Sequence, residues 1–373
     1  MSIRAKYVLG VALLTAAAVL WAIYLPRTLR MWRGGSPRNT KPATYAPAGG
    51  SPLRRLDAES LKGTIVTPHL ECAIRGDKNV LWCATFQVAW NELCDLLGGP
   101  IKSRGPQEMV EALNRKAVTR ADLDETSCVA MAGYPTGGSD DILDRIATAM
   151  NEKFGQGVKS EVLPNRRSLG RDTWVAYAFL LKELPFEWSF KRLPEWSLTF
   201  GGHAVEVFGI HQLDRSDEEE VKAASQVAIC YNGGPNDFII ELETQSQTDR
   251  LILAKVQPSA TLSETIRDVQ QRMGIGAPQH MQHMTHLVVP VIDFDVVCRY
   301  RELPPPLISV QQVRFKLDET GAVLKSEAFI TKNGHPGMVF NKPFLVMIQR
   351  TDAKVPYLAL WVANAELLVP QGQ

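Results

Sequence analysis

The last sixty-five residues carry the pattern that limits this chain most. Ile308-Ser-Val-Gln-Gln-Val-Arg-Phe-Lys-Leu-Asp-Glu-Thr-Gly321 alternates apolar and polar side chains and stops on a glycine, as a half-buried strand does. A run of eighteen residues follows. Then come Phe340-Asn-Lys-Pro-Phe-Leu-Val-Met-Ile348, a turn, and Val355-Pro-Tyr-Leu-Ala-Leu-Trp-Val-Ala-Asn364. Both runs are rich in the β-branched and aromatic residues that pack well in sheets.

The rest of the body mixes helices and strands without regular alternation. Asn79 to Leu97 reads as a helix ended by Gly98-Gly99, and Asp140 to Phe154 as another, with Gly155 as its stop. Thr261 and Glu264 have capping-box spacing ahead of Leu262, Ile266, Val269 and Met273. Strands are expected at Trp174–Leu181, His203–Phe208, Gln226–Tyr231, Phe238–Glu243, Leu251–Val256, His286–Val291, Val310–Leu317, Phe344–Gln349 and Tyr357–Val362. Helices early and strands late predict an α+β fold with mostly antiparallel sheets.

Charge narrows the function. Lys+Arg number 41 and Asp+Glu 40, a formal net charge of +1, so the basic excess of a nucleic-acid binder is missing. One stretch, Tyr7 to Leu25, has nineteen residues without a charge, enough to span a bilayer. No small-x-small cleavage site follows it, which favours an uncleaved anchor over a signal peptide. The basic residues Arg27, Arg30, Arg33, Arg38 and Lys41 outnumber Arg4 and Lys6, which by the positive-inside rule would keep the body in the cytoplasm. Long domains are exported despite such a bias. Residues 34–55 are rich in Gly and Pro and read as a tether. The expected organisation is a signal anchor at 1–33, a linker at 34–55 and one domain at 56–373.

The six cysteines are Cys72, Cys83, Cys94, Cys128, Cys230 and Cys298, and none forms a C-x-x-C pair. Buried thiols are the plain reading, with Cys83 and Cys94 on one face of the first helix. No nucleophile elbow, zinc-protease helix, phosphate loop or dinucleotide fingerprint is present, so no enzyme and no cofactor are expected. His280, His283 and His286 could ligate a metal, with Met281 and Met284 suited to soft copper, but steps of three along a short segment do not converge three rings. Asp293 and Asp295 share one strand face and read as a solvated strand edge rather than an acid–base pair.

The C-terminal segment resembles the end of a serpin. That family shows a strand ending in Glu-x-Gly, an exposed reactive-centre loop, an F-x-x-P-F-x-x-x-I strand and a last strand closing near Val-x-Asn. Phe340, Pro343 and Phe344 match the signature, and Glu319 and Gly321 match the hinge. Upstream, Asn79-Val-Leu-Trp-Cys-Ala-Thr-Phe is similar to the early serpin helix. Trp174–Leu181 with Pro185-Phe186 is similar to its central strand, and Leu287-Val-Val-Pro-Val-Ile-Asp-Phe294 to its v-x-x-P-x-F strand. The resemblance implies a serpin-like α+β domain and a serine-type endopeptidase inhibitor.

In that mechanism the cleaved loop inserts as a new strand and carries the acylated protease with it. Insertion needs small residues after the hinge. Ala322 suits the first position, but Leu324 is large for a closely packed sheet, where overpacking costs roughly 1–3 kcal/mol. The family's buried Ser, Asn and His network falls on Cys83, Ala176 and Gln311 here, so that polar switch is expected to be missing. The candidate bait bond, Lys332-Asn333, suits a trypsin-like protease. The readings that follow are an inhibitor, a non-inhibitory serpin-fold binding protein tethered to a membrane, and a metal-binding protein using the histidine cluster. For the family's chemistry the body would lie outside the cell or in the periplasm.

Overall fold

The computed structural model describes residues 55–372, except 103–106, 139, 157, 159, 161, 171–172, 212, 215, 282–284, 302, 304–308 and 322–336. The anchor and tether calls, and Ala322, Leu324, Lys332, Asn333 and His283, lie outside the described residues. Among the described residues no helix is long and apolar enough to cross a membrane.

The architecture is α+β. The largest sheet has eight strands. Its centre is a run of antiparallel neighbours: β10 (Val227–Gly234), β11 (Asp237–Leu242), β12 (Asp249–Lys255), β18 (Phe344–Arg350), β19 (Leu358–Val362) and β3 (Asn79–Cys83). β13 (Gln279–His280) closes one edge, and β2 (Thr64–Thr67), parallel to β3, closes the other. Strands β3 and β19 are buried at every position, so neither face of this part of the sheet meets water. Its large rings sit opposite smaller partners, Trp82 facing Ala359 and Trp361 facing Val80. Such alternation lets two buried tryptophans fit without overpacking.

Three smaller sheets matter for the site. One has the order β1-β15-β16, built from Arg55–Asp57 (β1), Ile292–Arg299 (β15) and Val310–Leu317 (β16). A second is the antiparallel pair of β4 (Cys128–Gly133) and β5 (Val175–Leu180). A third has the order β17-β14-β9-β6: Met338–Val339 (β17), Leu287–Pro290 (β14), Val207–Ile210 (β9) and Lys191–Arg192 (β6). A short ribbon pairs β7 (Leu198–Phe200) with β8 (His203–Val205). The helices among the described residues are α1 (Ala84–Leu96), α2 (Gln107–Asn114), α3 (Ile142–Phe154), α4 (Glu218–Ser225) and α5 (Leu262–Met273). α1 lies against both β4 and β5.

Several sequence expectations hold. α3 begins on the Asp141 cap, buries Ile142, Ile146 and Met150, and stops at Gly155, whose φ of 80° favours glycine. α5 carries the Thr261–Glu264 capping box. Others need correction. Asn79–Cys83 is not the first turn of a helix but a strand between β2 and β19, and α1 starts only at Ala84. A short apolar run reads alike as buried strand or buried helix. Cys83 therefore does not share a helix face with Cys94; it packs in the main core, whereas Cys94 joins Phe86, Trp90, Cys298 and Tyr300. His203–Phe208 splits into β8 and β9 at Glu206, whose backbone bonds to Val369 and Val291 instead of continuing one ladder. Asp295 is not at a strand edge, because β1 and β16 flank it, and Asp293, which pairs only with Lys316 of β16, is half-buried rather than solvated. All six cysteines are free thiols, and all but Cys72 are buried.

Candidate functional site

The predicted hinge sits where β16 runs out. Its last residues are fixed by their own side chains: the Asp318 carboxylate accepts from the Thr320 amide at 3.0 Å and from the Thr320 hydroxyl at 2.9 Å. Gly321 then adopts φ +85°, a left-handed turn that favours glycine. A Cβ there would lie 2.7 Å from the Pro185 Cα and 2.8 Å from the Leu184 carbonyl oxygen. Glycine is thus required twice, by conformation and by close approach of another backbone.

That other backbone is the end of the β5 segment. The Phe186 amide donates to the Thr320 carbonyl at 3.3 Å and the Phe190 amide to the Glu319 carbonyl at 2.8 Å. Gln245 holds this turn from below, its amide donating to the Pro185 carbonyl at 2.9 Å and its side-chain amide to that of Phe186 at 3.2 Å. Phe186, Phe190 and Phe208 pack as a ring cluster beneath, with centroids 4.9 to 6.4 Å apart.

The turn at Glu319–Gly321 is also charged. Arg192, on β6, puts Nε 2.7 Å from a Glu319 carboxylate oxygen and Nη1 2.6 Å from Glu206. Its Nη2 lies 4.0 Å from Asp318, whose carboxylate is held by Lys316 at 2.8 Å. Burial raises the pKa of Glu319 above the usual carboxylate range, and Arg192 works against that shift. Asp293 is raised for the same reason, opposed by Lys316 and Arg314. One arginine thus gathers carboxylates from β16's end and from the residue between β8 and β9. Nothing in the sequence marked Arg192 for this role, because β6 is two residues long and has no periodicity to read.

At its far end the undescribed segment 322–336 rejoins the fold at Gly337 and β17, which pairs in parallel with β14. Phe340 and Phe344 are fully buried, 5.0 Å apart, with Phe238 5.0 Å from Phe340 and Phe200 5.9 Å from Phe344. Pro343 is partly buried on the turn between them. The C-terminal signature is therefore core, and it anchors the second foot of the segment. Lys255 helps: its buried ammonium donates to the Val339 carbonyl and the Asn341 side chain, each at 2.8 Å, and to the Pro235 carbonyl at 3.0 Å. Burial and the nearby Lys342 lower its pKa to about 8.

The predicted switch region carries a polar network after all. Gln311 is buried; its amide donates to the Cys83 carbonyl and to the Thr85 hydroxyl, both at 3.0 Å, and its oxygen accepts from the Tyr300 hydroxyl at 2.6 Å. Those bonds tie the start of β16 to the first residues of α1. Cys83 enters through its carbonyl and through its sulfur, which accepts from the Thr85 hydroxyl at 3.7 Å, and burial raises its thiol pKa. Ala176 pairs with Ala132 and adds nothing polar. The network is therefore not built from the three expected positions but from Gln311 with Thr85 and Tyr300, to which the sequence reading gave no role.

Of the three histidines, two are among the described residues. His280 is exposed on β13, whereas His286 is buried with its ring 5.2 Å from that of Trp196. Among the described residues no cluster of three or more ligating side chains could hold a metal.

No known family model and no curated protein matches the chain. Among solved structures it is similar to thyroxine-binding globulin in complex with thyroxine, at 11% identity and TM-score 0.36, covering 59% of this chain and 64% of that one, just under two thirds. A second structure, of human thyroxine-binding globulin, gives 10% identity and TM-score 0.38 over 74% of this chain and 86% of that one. A 3.10 Å crystal structure of maspin gives 11% identity and TM-score 0.43 over 77% and 92%. Both proteins are serpins, the family the C-terminal motif resembles. At these identities and TM-scores the likeness decides nothing by itself.

Proposed function

We propose that this chain is a serpin-like, serine-type endopeptidase inhibitor whose reactive-centre loop is the segment beginning at Gly321. One observation carries the reading. β5 and β16 are end strands of their separate sheets, they run to a common point at Pro185-Phe186 and Glu319-Thr320, and among the described residues no ladder joins them. The segment starts from that point. A strand doubling back from Gly321 would find unpaired edges on both β5 and β16, and strand addition releases free energy through the new ladder. Lys332-Asn333 would be the bait bond for a trypsin-like protease. The N-terminal stretch Tyr7–Leu25 would hold the domain at a membrane, facing outside the cell or the periplasm.

A non-inhibitory binding protein is the second reading. It is favoured by the Gln311 network, which ties β16 to α1 and resists the separation that insertion needs.

The test incubates the full chain in detergent with a trypsin-like protease, followed by a denaturing gel and a thermal melt. A band at the summed mass with a raised melting temperature supports trapping. Clipped chain, active protease and an unchanged melt would sink the inhibitor and leave the binding protein.

A further inference from the structure

β4 gives one side to β5, and among the described residues no strand pairs with its other side. The bond from the Leu181 amide to the Ser127 carbonyl fixes the parity of this ribbon. Bonded and non-bonded pairs alternate along an antiparallel ladder. Val129, Met131 and Gly133 therefore turn their backbone groups toward β5, and Cys128, Ala130 and Ala132 turn theirs outward. Such a row of outward amides and carbonyls is a template for another strand.

Two of the outward carbonyls are already occupied by cations. Lys153, on α3, donates to the Cys128 carbonyl at 2.7 Å and also to the Glu125 carbonyl. Arg120 donates to the Ala130 carbonyl at 3.4 Å. Along this edge runs a groove of about 450 Å³, lined by Val129–Ala132 together with Arg120, Arg145 and Lys153 and with Glu92 and Glu152.

We propose that the outward edge of β4 is a self-association surface for a second copy of this chain, held closed by Lys153 and Arg120. The occupant follows from symmetry and charge. An antiparallel edge strand is self-complementary about a two-fold axis, so its own copy needs no further design. With the two guards withdrawn, Arg145 still lines the groove together with Glu92 and Glu152, which lets a two-fold copy set a cation against carboxylates. Ala130 and Ala132 are small, so two such strands can reach the ordinary spacing of about 4.8 Å. The same capping cations act as the charged guards that edge strands use against pairing. Removing them frees the carbonyls for the copy.

The experiment measures the mass of the full chain by native mass spectrometry from detergent micelles. The parent is expected as a single chain. Lys153→Ala combined with Arg120→Ala is expected to double that mass. Adding Ala132→Pro, which deletes one outward amide at an edge where proline is tolerated, is expected to return it to a single chain. The gentler variants Lys153→Met and Arg120→Gln keep most of the side-chain packing and are read in the same way. Single chains in every variant overturn the proposal. So does a dimer that survives Ala132→Pro, since its contact lies elsewhere, for example through segment 322–336. A parent that is already dimeric overturns the guarding role.

Discussion

Gly321 acts through its backbone alone. Replacing it by alanine puts a Cβ against the Pro185 and Leu184 backbone and forces a side chain onto φ +85°. A strained turn of this kind costs roughly 1–3 kcal/mol. Gly321→Ala is expected to lower the unfolding free energy read from urea melts by that amount and to increase amide exchange at Phe186 and Phe190. Unchanged exchange at those two amides would mean the contact is not held in solution. Lys255 acts through its charge. Its pKa of about 8 is below the ordinary lysine value of 10.5, so folding favours the neutral amine. Between those values the unfolded chain holds a proton that the folded chain has released, and stability rises with pH. Below about pH 8 both states are protonated and the dependence vanishes. Subtracting the stability curve of Lys255→Met from that of the parent should leave a rise confined to this window. A flat difference would show that the three oxygen acceptors restore the ordinary pKa. Neither role was readable in the sequence beyond the glycine itself. Lys255 is one polar residue at the end of an apolar strand, and its acceptors at Pro235, Val339 and Asn341 are distant in sequence.

At the scale of elements, reading succeeded where the period was long and the caps were explicit. Val310–Leu317 matches β16 to the residue, and the Thr261 capping box marks the start of α5. It failed where an element is defined by its neighbours. Asn79–Cys83 is a strand because β2 and β19 flank it, and no local signal carries that. The two-residue strands β6, β13 and β17 exist only as ladder partners of longer strands. The turn at Gly321 was legible from its glycine at the end of an alternating strand, but the open edges beside it were not, since they depend on which sheets β5 and β16 join. A further tie between elements was equally hidden. Lys182, just past β5, bonds Asp124 at 2.7 Å and Asp249 of β12 at 2.8 Å. Tyr357 donates to the same Asp249 at 3.0 Å. This pins the end of β5 to the eight-stranded sheet. Lys182→Met leaves Asp249 with no exposed surface and no counter-charge from lysine, which should cost roughly 3 kcal/mol, the lower end for a broken buried pair because Asp124 is partly exposed. Denaturant melts check the value. A loss under about 0.5 kcal/mol would place the pair with surface bridges instead.

Over the whole molecule the apolar core is divided. The eight-stranded sheet and the hinge phenylalanines belong to one large cluster. Val129, Val175 and Tyr177 form a separate one with Ile142, Ile146 and Met150 of α3. The unit of β4, β5 and α3 therefore has a small core of its own on one face, while on the other face Cys128 and Ala130 of β4, with Ala178 and Leu180 of β5, pack on the main cluster, and it also meets the rest through α1, the Lys182 tie and the Pro185-Phe186 turn. Regions with fewer shared apolar contacts open at lower free energy than the global transition. This unit is expected to exchange its amides by a sub-global opening, while β18 and β19 exchange only on full unfolding. Hydrogen-exchange mass spectrometry at increasing sub-denaturing urea should show peptides from 128–154 and 175–180 at a lower, common opening free energy than those from 344–362. The same opening would move β5 away from β16 and widen the gap that the proposed insertion uses. Lys182→Met should then lower the opening energy of 128–154 and 175–180 and leave the difference between β18 and β19 unchanged. If the two regions exchange with one free energy in the parent, the molecule opens only as a whole, and insertion would have to proceed without help from a mobile unit.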